Sequence, residues 1–204
     1  LPEGLDHRQR LVHVLPGGTA VLPLDLPVSP ILTDAARAAG ARIAGFGQSD
    51  AAEWRLLQAR SGDGHTVVQA EHAGTPLVYK VMSPGRHFAM NGLAALAVAQ
   101  ALGLDLAIAA SDLGRWQPPA GRGQRERIML DVVEETAFDL IDDAFNANPA
   151  SLAAALDVLI AAQPQDGVGA RAKGRRIAIL GDMLELGPTE LDLHRAVARH
   201  PGLQ

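Results

Sequence analysis

Apolar positions along this chain change rhythm several times, and the changes outline its elements. Residues 19–22 form a short unbroken apolar run after Gly17-Gly18 and read as a buried strand. Ser29-Pro30 marks a helix start, with Ser29 as N-cap and proline in the first turn, and the helix stops at Gly40. Residues 42–46 read as the next strand, and a strand–helix–strand unit of this length favours a parallel sheet. The rhythm then shortens. Residues 54–60, 65–72 and 77–81 are three extended segments separated by Gly-containing turns, the pattern of an antiparallel meander.

A longer period follows. Residues 88–102 predict a helix with Met90, Leu93, Ala94, Ala97, Val98 and Ala101 on its buried face and Gly103 as its stop. Residues 106–113 predict a shorter helix. The segment 116–123, Trp-Gln-Pro-Pro-Ala-Gly-Arg-Gly, is the best boundary, dividing the chain into 1–118 and 119–204. Beyond it, 127–133 and 137–141 read as strands. Asn148-Pro149 starts a helix with Leu152, Ala155, Leu156, Leu159 and Ile160 as its stripe. Residues 163–171 read as a polar loop, 176–180 as a compact buried strand, and 189–199 as a last helix.

Composition narrows the possibilities. The 204 residues are 48% hydrophobic and only 3% aromatic, so Ala, Leu, Val and Ile must build the core. The net charge of −5 and the scattered basic residues leave no footprint for a phosphate backbone, which excludes nucleic acid as a partner class. No cysteine is present, so disulfides and thiolate zinc sites are excluded. No apolar run has the length of a membrane span, and no signal peptide is visible. The chain begins at Leu1 and ends at Gln204 after a helix-like segment, and we expect it to be a stretch of a longer protein.

Three places carry candidate chemistry. The first is Asp142-Asp143-Ala144-Phe145-Asn146-Ala147-Asn148-Pro149, at the end of a strand read as buried. In open α/β sheets ligands bind outside the carboxyl ends of strands. Carboxylates there can take a ribose hydroxyl or a metal, amides can read a base or peptide edge, and a helix N-terminus offers free N–H groups. Equally, Asp and Asn favour loops, and Asn148 can be no more than a helix cap. The second is Gly181-Asp182-Met183-Leu184-Glu185-Leu186-Gly187, again after a strand, where Asp182 and Glu185 can bind a ligand or solvate a turn. The third is Arg86-His87 with Asn91 four residues on, which can hold a planar ligand or simply pack at a helix entry. The other histidines stand alone and read as surface groups. No pair has metal-ligand spacing, so no metal site is expected within the chain. The sequence contains neither a Gly-x-x-x-x-Gly-Lys-Ser/Thr loop nor a Gly-x-Gly-x-x-Gly turn, and only two lysines, Lys80 and Lys173.

Taken together these motifs resemble the Mur ligases. Residues 140–151 resemble that family's Asp-Asp-x-Tyr-Asn-Ala-Asn-Pro-x-Ser signature, and 179–187 its second C-terminal signature. Pro84-Gly85-Arg86-His87 with Asn91 resembles its His-x-x-x-Asn helix entry, and Gly121-Arg122-Gly123 its hinge. The wording is most similar to the branch that adds D-alanyl-D-alanine to UDP-N-acetylmuramoyl-tripeptide. The resemblance implies an α/β fold. The later part of a central ATP-binding domain, a mixed sheet with an antiparallel meander, would be followed by the first part of a Rossmann-like C-terminal domain. It implies an ATP- and Mg2+-dependent ligase that activates a carboxylate as an acyl phosphate for attack by an amine, in a cytoplasmic, monomeric enzyme of peptidoglycan precursor synthesis. His87 and Asn91 would lie on the nucleotide side of the central domain, while Asp142, Asp143, Asn146 and Asn148 would close over nucleotide and dipeptide, with Arg122 at the hinge. The substrate domain and the phosphate loop would lie outside the chain, which alone would be inactive.

Three departures stand out. Pro23-Leu24-Asp25-Leu26-Pro27 replaces the family's Asn-x-Asp-Asp-Pro, Arg8 stands where a carbamylated lysine is expected, and Phe145 replaces tyrosine. Two other readings are a binding module without turnover and a Mur-like ligase of the folylpolyglutamate or cyanophycin synthetase type.

Overall fold

The computed structural model describes residues 16–62, 64–133, 136–164, 166 and 173–203. Arg8 lies outside them, as does much of the 163–171 loop. The chain divides into two compact units, one made of residues up to Met82 with Arg86–Trp116, the other of Ser83–Gly85 and the residues from Gln117 on.

The first unit is built on a five-stranded mixed sheet in the order β1 (Thr19–Pro23), β2 (Arg42–Gly47), β3 (Trp54–Gly62), β4 (His65–His72), β5 (Thr75–Val81). β1 and β2 are parallel over five residue pairs, Thr19↔Arg42 to Pro23↔Phe46. β3 joins β2 in parallel only at Phe46↔Trp54 and Gly47↔Arg55, and then forms the expected meander with β4 and β5. Ala73 and Gly74, both at positive φ (47° and 79°), make the two-residue β4–β5 turn. Left-handed backbone at both positions is what a tight hairpin between right-twisted strands needs.

Side-chain alternation along β1 and β2 puts a helix against each face. Ala20 and Leu22 with Ile43 pack against Ala36 of α1 (Ser29–Ala38). Val21 and Ala44 face the other way, into the main core of Trp54, Leu56, Val68, Ala70, Tyr79 and Val81 under Ala89, Leu93, Leu96 and Ala97 of α2 (Arg86–Ala101). α3 (Leu106–Leu113) packs on α2 and β5, and Asp105 caps it by accepting from the N–H groups of Ala107 and Ile108 at 2.8 and 3.1 Å.

Two expectations in this unit are corrected. Ser29 is not the N-cap of α1: Val28 is, with no side-chain bond, and the buried Ser29 hydroxyl instead accepts from the Leu26 N–H at 3.1 Å. The tight 26–29 turn captures the serine before it can cap. The buried face of α2 is also rotated from the predicted one. Leu93 and Ala97 are buried as expected, but Ala89, Gly92 and Leu96 join them while Val98 is 44% exposed. This helix is apolar nearly all round, so periodicity does not choose its face, and the smallest residues turn toward the sheet where backbones approach closely.

The second unit starts with an antiparallel ribbon, β6 (Gln124–Asp131) and β7 (Thr136–Asp142), tied across by the Arg125–Asp139 ion pair at 2.9 Å. α4 (Pro149–Ala161) and α5 (Glu190–Val197) follow, α5 entered through a 3₁₀ turn at Gly187–Thr189. The strand leading to Asp142 is not buried: Phe138 and Leu140 are 45% and 42% exposed. Residues 176–180 are not a strand either, and Ile179 is 94% exposed. An extended apolar run becomes a buried strand only when a neighbour completes its hydrogen-bond ladder and a second layer covers its face, and among the described residues neither is in place. Among the described residues of this unit, the buried hydrophobic side chains are Leu156 and Met183.

Candidate functional site

In the first unit the carboxyl ends of β1 and β2 are adjacent, the position at which an α/β sheet exposes loops to a ligand. Asp25 organises this edge. Its carboxylate accepts from the backbone N–H groups of Gln48 at 2.7 Å and Ser49 at 3.2 Å, bridging the loop after β1 to the loop after β2. Gly47 makes room for it: a Cβ there would lie 2.6 Å from the Asp25 carboxylate. The aspartate kept from the family's Asn-x-Asp-Asp-Pro pattern is thus a brace.

His87 and Asn91 both lie within α2, four residues apart, with His87 half-buried and Asn91 exposed. The His87 ring tilts against Phe88 at 4.1 Å between centroids, and Phe88 meets Trp116 at 5.9 Å. A planar base or an amide edge fits beside such a row of rings with an exposed amide.

In the second unit the segment 121–123 and the loop after β7 are clipped together. The Asp142 carboxylate accepts from the Gly121 N–H at 3.1 Å and the Ala144 N–H at 3.2 Å, and its backbone carbonyl accepts from the Gly123 N–H at 2.8 Å. The Phe145 N–H donates to the Gly121 carbonyl at 3.0 Å, and the Arg122 guanidinium lies 3.9 Å from the centre of the Phe145 ring. Phe145 keeps the ring of the family's tyrosine, and the ring is the part that meets Arg122. Gly121 sits at φ 75°, and a Cβ on it would press on Phe145 at 3.1 Å.

The candidate residues of the loop therefore separate. Asp142 is occupied by backbone amides. Asn148 caps α4 in a reciprocal box with Ser151, each backbone N–H meeting the other's side chain at 2.9 Å. Asn146 accepts from the Ala147 N–H at 2.9 Å and has no other side-chain bond among the described residues, so its NH2 group is available; Asp143 is exposed beside it. Asp182 and Glu185 belong to a separate cluster. Asp182 is 84% exposed, 3.7 Å from His194 Nε2, and Glu185 holds φ 62°, a left-handed backbone that costs a non-glycine residue about 1 kcal/mol.

Sequence reasoning missed Asp25 as a brace and treated His194 as a lone surface group. The contacts that define both roles are made far along the chain, Gln48 being 23 residues from Asp25 and Met183 11 from His194. Among the described residues no three His, Asp or Glu side chains come together as a metal cluster. No helix among them is long and apolar enough to cross a membrane.

Residues 5–99 match the Mur ligase middle domain. A UDP-N-acetylmuramoyl-tripeptide–D-alanyl-D-alanine ligase of Synechocystis sp. is 33% identical over 191 residues, which cover 92% of this chain and 35% of that protein. A UDP-N-acetylmuramate–L-alanine ligase of Streptomyces avermitilis is 32% identical over 150 residues, covering 74% of this chain and 31% of that protein. The crystal structure of MurF from Acinetobacter baumannii superposes with a TM-score of 0.78 at 24% identity, over 94% of this chain and 38% of that one, a likeness that speaks for the fold. The chain thus spans about a third of the length of the curated relatives it matches. With its mixed α/β sheet, this chain is a member of the Mur ligase family, a family of ATP-dependent amide ligases.

Proposed function

We propose that this chain is part of a ligase that joins D-alanyl-D-alanine to UDP-N-acetylmuramoyl-tripeptide in cytoplasmic peptidoglycan precursor synthesis. One observation carries the choice of branch. The similarity to a tripeptide–D-alanyl-D-alanine ligase covers 92% of the chain, enough to run through the 142–149 loop. The loop wording Asp-Asp-x-Phe-Asn-Ala-Asn-Pro favours the same branch.

The first unit would be the later part of the central domain and the second the first part of the C-terminal domain. ATP, with Mg2+, would supply the phosphoryl group that activates the tripeptide carboxylate as an acyl phosphate. The residues fit the planar end of such a nucleotide: His87, Phe88 and Trp116 offer apolar ring surface and Asn91 an amide. The described residues do not by themselves fit Mg2+, for want of an acidic cluster. In the second unit, Asn146 and Asp143 would touch ligand, while Asp142, Asn148 and the Arg122–Phe145 pair would hold the loop that carries them. Ring stacking and charge-assisted bonds of this kind fix geometry, the larger part of what an amide ligase needs from residues that do not react.

The test is ligation by the complete gene product, as a monomer, with ATP and each of three amines: D-alanyl-D-alanine, L-alanine and glutamate. Ligation of D-alanyl-D-alanine onto UDP-N-acetylmuramoyl-tripeptide is the expected result. Preference for L-alanine on UDP-N-acetylmuramate, or for glutamate on a folate, would replace it.

A further inference from the structure

His194 sits where two backbone groups dictate its chemistry. Its Nδ1 is 2.9 Å from the Glu190 carbonyl oxygen, one turn back along α5. A carbonyl only accepts, so Nδ1 carries the hydrogen. Its Nε2 is 3.1 Å from the Met183 nitrogen, whose N–H points at it. An amide N–H only donates, so Nε2 presents a bare lone pair. The two contacts together require the neutral Nδ1–H imidazole.

The amide it receives lies inside the second candidate loop. Met183 is fully buried and anchors the loop, while Asp182 before it and Glu185 after it are exposed. Glu185 keeps its left-handed backbone only if the residues around it are held. The Asp182 carboxylate lies 3.7 Å from the same Nε2. The other charged groups nearby are otherwise engaged: Asp192 pairs with Arg195 at 3.0 Å on α5 itself, and Asp157 of α4 faces His200 at 3.6 Å.

We propose that His194 is a positioning residue that latches the Asp182–Glu185 segment by accepting the Met183 amide on Nε2. The positioning role rests on the reading of 181–187 as part of the ligand site; the latch does not. Nitrogen NMR of the whole 204-residue chain tests the latch directly. At about pH 8 the His194 shifts should show the Nδ1–H tautomer. In His194→Ala the Met183 amide should shift, and its solvent exchange at fixed pH should quicken roughly tenfold as one net hydrogen bond is lost. His194→Gln, whose amide oxygen also accepts, should keep the Met183 amide protected. An Nε2–H tautomer, or a Met183 amide as protected in His194→Ala as in the parent chain, overturns the latch. In the complete enzyme His194→Ala should raise the KM for D-alanyl-D-alanine several-fold with kcat little changed, and His194→Gln should restore it. An unchanged KM in His194→Ala with the latch confirmed overturns the positioning role alone.

Discussion

At the scale of single residues, Gly92 lets helix α2 approach the Tyr79 ring closely. A Cβ at Gly92 would lie 2.8 Å from the Tyr79 ring and 3.2 Å from Val81. Gly92→Ala gains up to about 1 kcal/mol of helix propensity but forces strand and helix apart, at about 1–3 kcal/mol. A net loss of roughly 1 kcal/mol or more is expected in urea titration followed by tryptophan fluorescence. Trp54 and Trp116, the only two tryptophans, both lie in this unit, so the signal reports it alone. Tyr79 is buried and its hydroxyl donates to the Ala89 carbonyl. Burial pushes its phenol well above the ordinary value, with a backbone hydrogen bond at Leu93 opposing in part. The folded state therefore holds the proton more tightly than the unfolded one. The contribution to stability is complete below the ordinary phenol value of about 10 and is lost as pH rises beyond it. Because the chain has one tyrosine, tyrosinate absorbance reads this group directly. It should stay silent past about pH 10 and rise with unfolding, and Tyr79→Phe should lose less stability over the same interval.

At the scale of elements, the loop after β7 is shaped from both ends. Its first residue, Asp142, holds 121–123, and its last cap, Asn148, starts α4. Asn148→Ala removes half of the capping box and should cost about 1 kcal/mol. The loss should show as faster amide exchange at Ser151 and Leu152, whose N–H groups donate to Asn148. This element was half legible. Asp, Asn and Pro in sequence announced a loop and a helix start, and the cap is where that spacing put it. The partners of Asp142 were not legible, because Gly121 is 21 residues upstream and only the folded ribbon returns the chain to it.

At the scale of the whole molecule, two units share the family's motifs, and the sequence of the chain contains no Gly-Lys-Thr/Ser phosphate loop. The purified 204-residue chain is therefore expected to show no ATP turnover above contamination controls, measured as phosphate release; sustained turnover would point to a phosphate site of another kind. The sequence by itself determined the strand order of the meander, the helix positions and the family, because hydrophobic period, turn residues and motif wording are local properties that survive without contacts. Tertiary structure alone decided which face of α2 is buried, that residues 176–180 form no strand, that Asp25 and Asp142 are braces, and that His194 meets the Met183 amide. Each of these depends on which group arrives from a distant part of the chain to complete a hydrogen bond or cover a face, and no pattern along the chain records that arrival.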